Sequence, residues 1–237
     1  MRYDVDHKER TRLRLLTEAS ILLREAGPDG LSVATLMKRQ GLTHGGFYAH
    51  FDSKDDLIEQ AIDTMFERTC ERFVTRTRGL APQQGLLEYI AYYLSPGHYN
   101  RPGQGCPIPA TAGDVSRLGA DARKRFEAGV GRLQKLIAMQ FEMLGFSAVE
   151  ALGQAVALLS EMSGAVIMAR AVKSAAAQKH ICHNAQLAIF KRLSQSFPQF
   201  GADMSGDYLV AFFRQAEAAE LRAKTLDGEG EGLRLEP

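Results

Sequence analysis

Charge of one sign is what this chain most plainly lacks. Its 237 residues carry 29 Lys+Arg against 28 Asp+Glu, a formal net charge of +1, so bulk electrostatics select no class of partner. Cysteine is scarce and odd in number: Cys70, Cys106 and Cys182 lie far apart, which excludes a disulfide framework and reads as reduced thiols. No apolar run reaches the ~18 residues of a membrane span, and the first residues lack the basic-then-apolar pattern of a secretory signal. The expectation is a soluble, cytoplasmic, nucleoid-associated chain with no membrane partner. Alternating strand patterns and internal repeats are also missing. What is present is 45% apolar residues, enough to bury a substantial core in one or two domains, arranged with helical periodicity.

The densest signal is Thr-His-Gly-Gly-Phe-Tyr-Ala-His-Phe at residues 43–51. On a helical wheel Phe47 and Phe51 share one side, while His44, Gly45 and Tyr48 share the other. One face anchors and the other is free to touch a partner. Adjacent glycines cost helix stability, of the order of 1 kcal/mol each relative to alanine, so Gly45 and Gly46 call for the close approach of another surface. Thr43 suits the N-cap, and the first turn offers N–H groups to phosphate. Upstream, Asp29-Gly30 makes a turn, Ser32 caps, and Val33, Leu36 and Met37 give a two-turn helix its apolar face. A tight turn at Gln40-Gly41-Leu42 then joins helix to helix. Before it, Leu15, Ala19, Leu22, Leu23 and Ala26 follow the rhythm of an amphipathic helix ending at Gly27-Pro28. After it, Ser53 and Asp56 form a capping box that opens a long helix from Lys54 to Thr77, with Leu57, Ile58, Ala61, Met65 and Phe66 inward. Residues 8–14 hold Lys8, Arg10, Arg12 and Arg14 against Glu9 alone, a basic arm suited to a DNA backbone or minor groove and equally to simple solvation.

Residues 31–57, LSVATLMKRQGLTHGGFYAHFDSKDDL, resemble the helix-turn-helix signature of the TetR/AcrR family of bacterial transcriptional regulators. Gly41, Thr43, Gly45, Phe47-Tyr48, His50-Phe51 and Ser53-Lys54 fall at the family's spacing, whereas Met37 and Gln40 stand where alanine is common. The resemblance implies an all-α protein: a three-helix headpiece (1–53), joined by a long helix to a ligand-binding and dimerisation domain (54–200). It implies that His44 reads a base edge, that Gly45 lies against a base or sugar, and that Ser32, Thr43, Tyr48 and Lys54 hold phosphates. Phe47, Phe51 and His50 would form the inward wedge. It further implies a homodimer on an operator of double-stranded DNA, a small-molecule inducer, and repression by occluding a promoter.

Beyond residue 80, helices are expected over Gln84–Leu94, Asp121–Leu144, Ala148–Val172 and Ala176–Leu193, with a Gly- and Pro-rich loop at His98–Pro109. The small residues of Ala148–Val172 suit close helix packing, and this pair from two subunits would make a four-helix interface; an intramolecular hairpin is the plain alternative. The inducer pocket is expected to draw on Phe66, Tyr89, Tyr92, Tyr93, Cys106, Phe126, Leu133 and Met162, each of which ordinary core packing also explains. Cys106, between Gly105 and Pro107 at an expected helix start, could have its thiol pKa lowered by the dipole, which makes a thiol-based redox or electrophile sensor an alternative. His180, Cys182 and His183 resemble metal ligands, but helical spacing turns Cys182 away from the two histidines. No metal and no cofactor are therefore expected. A small helical enzyme using Cys106 with His98 or His180 would need a base and an oxyanion site that the sequence does not assemble. A helical adaptor would have no use for the pattern from Thr43 to Lys54. Asp203–Lys224 reads as one more amphipathic helix, and residues 226–237 as a flexible acidic tail, together a third segment at 201–237.

Overall fold

In the computed structural model of the protein residues 2–196 are described, and all of their regular structure is helical. The expected helix at 203–224 and the acidic tail lie outside the described residues. The chain runs through α1 (Arg2–Gly30), α2 (Val33–Arg39), a 3₁₀ helix (His44–Ala49), α3 (Lys54–Thr77), α4 (Pro82–Tyr93) and α5 (Pro96–Tyr99). A 3₁₀ turn (Pro102–Gln104) leads to α6 (Ile108–Val115), α7 (Ala120–Met143), α8 (Ala148–Ala171) and α9 (Ala175–Ser196).

Punctuation residues set these bounds. α1 leaves helical geometry at Gly27, with φ 69° and ψ −177°, immediately before Pro28, where the expected end lies. Ser53 caps α3 by accepting from the backbone N–H of Asp56 at 3.0 Å. The return bond reaches one residue further out than a capping box requires, because Asp56 Oδ2 accepts from the N–H of Asp52. Ser147 and Glu150 complete a reciprocal capping box at the start of α8. The expected loop at His98–Pro109 is a correction: it contains the end of α5, a 3₁₀ turn and the start of α6, because Ser95 and three prolines start short helical turns there.

Two apolar cores share α3 and α7. The first gathers Leu15, Leu22, Leu23, Leu36, Met37, Phe47 and Phe51 around Leu57, Ile58, Ala61, Met65 and Phe66 of α3, closed by Val115 and Ala122. Ala26, expected on that apolar face, is exposed instead, since the helix breaks one residue later. The second core packs Phe73, Tyr89, Tyr93, Leu133, Ile137 and Phe141 against Leu158, Met162, Val166 and Leu193. Phe66 lies in the first core against Phe126, rings 5.2 Å apart and edge to face, and this approach requires Gly129, where a Cβ would stand 2.2 Å from the Phe66 ring. α8 is long and apolar enough by length and composition to cross a membrane, yet it is a packing helix here, with 44% of its most apolar window buried against the rest of the protein.

Candidate nucleic-acid interface

Gly41 makes the turn that aims the surface. Its φ is +68°, the left-handed region that L side chains enter at a cost. Paired bonds, Leu42 N–H to Met37 O at 2.9 Å and Gly41 N–H to Lys38 O at 3.1 Å, terminate α2 in the six-to-one and five-to-two pattern of a Schellman motif. The chain then enters His44–Ala49, which is a 3₁₀ helix and not the short α-helix expected. Its tighter winding still keeps the two faces apart. Phe47 and Phe51 are 1% and 2% exposed, with ring centroids 5.5 Å apart, while Tyr48, edge-on to Phe47 at 5.3 Å, is 67% exposed.

Of the six residues implied for contact, Ser32, Thr43, His44, Gly45 and Tyr48 are exposed and Lys54 is half-buried. Two cap expectations divide. Ser32 accepts from the N–H of Thr35 at 3.4 Å, whereas Thr43 makes no side-chain cap bond. A 3₁₀ turn already satisfies the Gly46 N–H with the Thr43 carbonyl at 3.1 Å, which leaves the Thr43 hydroxyl uncommitted to the cap. A Cβ on Gly45 would meet nothing within 4 Å, so no neighbour inside the protein demands glycine there. Met37 is buried, and its Cε would sit 3.6 Å from a Cβ on Gly46, so the departure from alanine fills the space behind the turn.

The basic stretch 8–14 is not an arm; it is helical, within α1. Arg12 is turned inward: its Nε donates to the His50 carbonyl at 3.4 Å, its Nη2 to Gln60 Oε1, and its guanidinium lies 5.3 Å from the Phe51 ring centre. Sequence reading missed this clamp, which ties α1 to the exit of the 3₁₀ helix. His50 is half-buried beside it, and burial together with Lys8 and Arg12 holds its imidazole below the ordinary pKa.

The eight side chains expected to line a pocket divide between the two cores. Phe66 and Phe126 pair in the first; Tyr89, Tyr93, Cys106, Leu133 and Met162 are buried in the second, with Tyr92 packed against it. None of the eight lines the cavities of 410, 800 and 180 Å³ that other residues form. The Cys106 expectation is corrected. The thiol is 2% exposed, and although the Tyr93 hydroxyl, the Ile108 N–H and Arg170 all favour thiolate, burial outweighs them and pushes its pKa up to about 11. His98 accepts the Cys106 backbone N–H on Nε2 at 2.8 Å; burial, then the charges of Arg170 and Arg72, drive its pKa down to about 3. A neutral histidine committed to a backbone N–H beside a protonated thiol is a structural pair. His180, Cys182 and His183 all border a 410 Å³ groove between α4–α5 and α9, but among the described residues no group of three or more metal-capable side chains converges.

Comparisons with known proteins agree with this geometry. A profile of the bacterial regulatory proteins of the tetR family matches residues 15–61. A second, for the C-terminal domain of LmrA/YxaF-like transcriptional regulators, matches residues 85–182. An uncharacterised HTH-type transcriptional regulator in the lacX 3′ region of Lactococcus lactis subsp. lactis is 25% identical over 168 residues, spanning 70% of this chain and 86% of that protein. A TetR transcriptional regulator from Chloroflexus aurantiacus J-10-FL superposes with a TM-score of 0.66 at 26% identity, over 78% of this chain and 96% of its own. The reduced form of NemR from E. coli shares the fold, with a TM-score of 0.67 at 22% identity over 77% and 96%. Proteins so matched are DNA-binding transcription regulators and not enzymes. With a headpiece whose anchored and exposed faces are those of a helix-turn-helix, and with residues 15–61 and 85–182 both matched by models of this family, the protein belongs to the TetR family of transcriptional regulators.

Proposed function

We propose that the chain acts as a homodimeric repressor in the cytoplasm, released from its operator by a small-molecule inducer, with residues 1–53 as the DNA-binding unit and 54–200 as the ligand-binding and dimerisation unit. The observation that carries the reading is the two-faced segment His44–Tyr48. Buried Phe47 and Phe51 fix its orientation, while His44, Gly45 and Tyr48 are exposed, Tyr48 keeping only its edge contact to Phe47 and Gly45 having nothing within 4 Å of a Cβ. In this reading His44 reads a base edge, Gly45 admits the duplex, and Ser32, Thr43, Tyr48 and Lys54 hold phosphates and set the register. Dimerisation has support from α8, whose Val149, Leu152, Val156, Ile167 and Met168 are exposed by 84, 44, 40, 49 and 60%, an apolar stripe that a second copy would cover.

An inducer need only prefer the shape that does not fit DNA, and a differential of a few kcal/mol releases most operators. The test is a gel shift and footprint on the DNA flanking the protein's own gene, with sedimentation in parallel. A protected pair of half-sites about one helical turn apart, bound by a dimer, is the expected result. A monomer indifferent to duplex DNA at low salt would sink it. The sensor reading through Cys106 gains no support, because its thiol is buried and protonated.

A further inference from the structure

Where the headpiece meets the core, three guanidinium groups line one cleft with no carboxylate among its lining residues. Arg24 comes from α1, and Arg68 and Arg72, one turn apart, from the facing side of α3; with Ile21, Thr69 and the backbone of Gly103, Gln104 and Gly105 they line a cleft of 180 Å³. Arg24 is 6% exposed. It gives Nε to the Gly103 carbonyl at 2.8 Å, and Nη2 to the same oxygen. Arg72 Nη1 donates to the Tyr92 hydroxyl at 2.8 Å and the Gln104 carbonyl at 2.7 Å, and Arg68 Nη2 to Thr17 Oγ1 at 2.6 Å.

Neutral oxygens account for all of these bonds. Glu67 and Glu71 form no ion pair with the three arginines; Glu25, whose Oε1 would stand 2.5 Å from a Cβ on Gly103 and so borders the cleft, forms none either, and each guanidinium keeps one terminal nitrogen with no partner among the described residues. Anchoring the Pro102–Gln104 turn would need one arginine and one carbonyl. Two further cations facing a 94%-buried third are a cost the fold carries unless an anion offsets it. Burial, followed by the charges of Arg72 and Arg68, lowers the Arg24 pKa to about 10, which still leaves it charged at neutral pH.

We propose that this cleft binds a dianionic oxyanion of phosphate or sulfate type, the head group of an effector, with Arg24 at its floor, Arg72 on its wall and exposed Arg68 at its mouth. Three cations match a tetrahedral dianion better than a single carboxylate, and guanidinium N–H groups from two helices lining one cleft suit its oxygens. Because the cleft lies between α1 and α3, an anion held there bridges the headpiece to the core. That consequence for DNA rests on the ligand-responsive reading above; the binding itself does not.

Calorimetry on the full chain in low-chloride buffer separates the two. Inorganic phosphate is expected to bind saturably at one site per chain, sulfate comparably, and acetate about tenfold more weakly or less still. Arg68→Gln and Arg72→Gln, checked for an unchanged melting profile, are each expected to weaken phosphate about tenfold. Arg24→Gln is expected to abolish binding, and since it could also unfold the turn, the exposed Arg68 variant carries the decision. Tighter binding of phenyl phosphate than of inorganic phosphate would identify the anion as part of a larger molecule, and the reverse order would identify a free ion; both support the site. Absence of saturable binding, or phosphate affinity unchanged in Arg68→Gln and Arg72→Gln, overturns it. Phosphate binding that leaves operator affinity unchanged would support the cleft while removing this anion as an inducer.

Discussion

Tyr48 and Phe47 are neighbours with opposite exposure, 67% against 1%, and the difference is measurable. Phe47→Ala removes a fully buried ring from the wedge and should cost about 3–5 kcal/mol of headpiece stability, read as a lowered melting transition. Tyr48→Ala, at 67% exposure, should stay within about 0.5 kcal/mol of the parent in stability, yet weaken DNA. His44→Ala should lose about 1–3 kcal/mol of operator affinity and relax selectivity at one base pair, whereas Lys54→Ala should weaken all sequences alike and lower the salt slope by about one. Equal effects of these two variants on cognate and scrambled duplexes would remove the base-reading role of His44. The exposed face was legible in the sequence because wheel position alone separates Phe47 and Phe51 from His44 and Tyr48. Arg12 was not, since nothing local says that a guanidinium in a basic stretch folds back onto a ring almost forty positions away. Arg24, Arg68 and Arg72 escaped for the same reason: their meeting is a property of how two helices face each other.

Helix boundaries were legible wherever a residue with one conformational preference sits at the end. Ser53 opens α3 at Lys54, Gly27-Pro28 breaks α1, and Gly41 closes the turn after α2, each as composition dictates. The winding of His44–Ala49 as a 3₁₀ helix was not legible, because α and 3₁₀ forms differ by one residue of hydrogen-bond register, which side-chain spacing over six residues does not resolve. The same limit hid the short turns between residues 95 and 108. Contact between α3 and α7 depends on a feature that sequence alone leaves silent, namely Gly129 against Phe66. Gly129→Ala improves local helix propensity by about 1 kcal/mol. It also places a methyl inside the ring's volume, and overpacking costs about 1–3 kcal/mol. Net destabilisation in a urea melt is expected, relieved by Phe66→Leu in the same chain. A stabilised Gly129→Ala would mean that α3 and α7 separate more readily than their packing suggests.

At the scale of the whole molecule, His98 and the α8 stripe connect the fold to its working conditions. His98 is held neutral in the folded chain, with its pKa lowered from 6.5 to about 3, so below pH 6.5 the unfolded chain takes up a proton that the folded chain refuses. Stability is therefore intact above about pH 6.5 and falls as pH drops toward 3, by up to about 1.4 kcal/mol per pH unit from this group. His98→Asn should flatten that part of the pH–stability curve while lowering its plateau. In the proposed dimer the α8 stripe would set the assembly on which operator affinity depends. Leu152→Glu and Ile167→Glu alter side chains that are 44% and 49% exposed in the single chain, so the chain should still fold; buried face to face in a dimer, the same carboxylates would be desolvated without partners. Sedimentation should then report a monomer. With only one headpiece per particle, the effective concentration that a dimer gives its second half-site disappears, and operator affinity should fall by about 10²–10⁴-fold with each headpiece unchanged. A variant that stays dimeric by sedimentation would place the partner surface elsewhere than on α8.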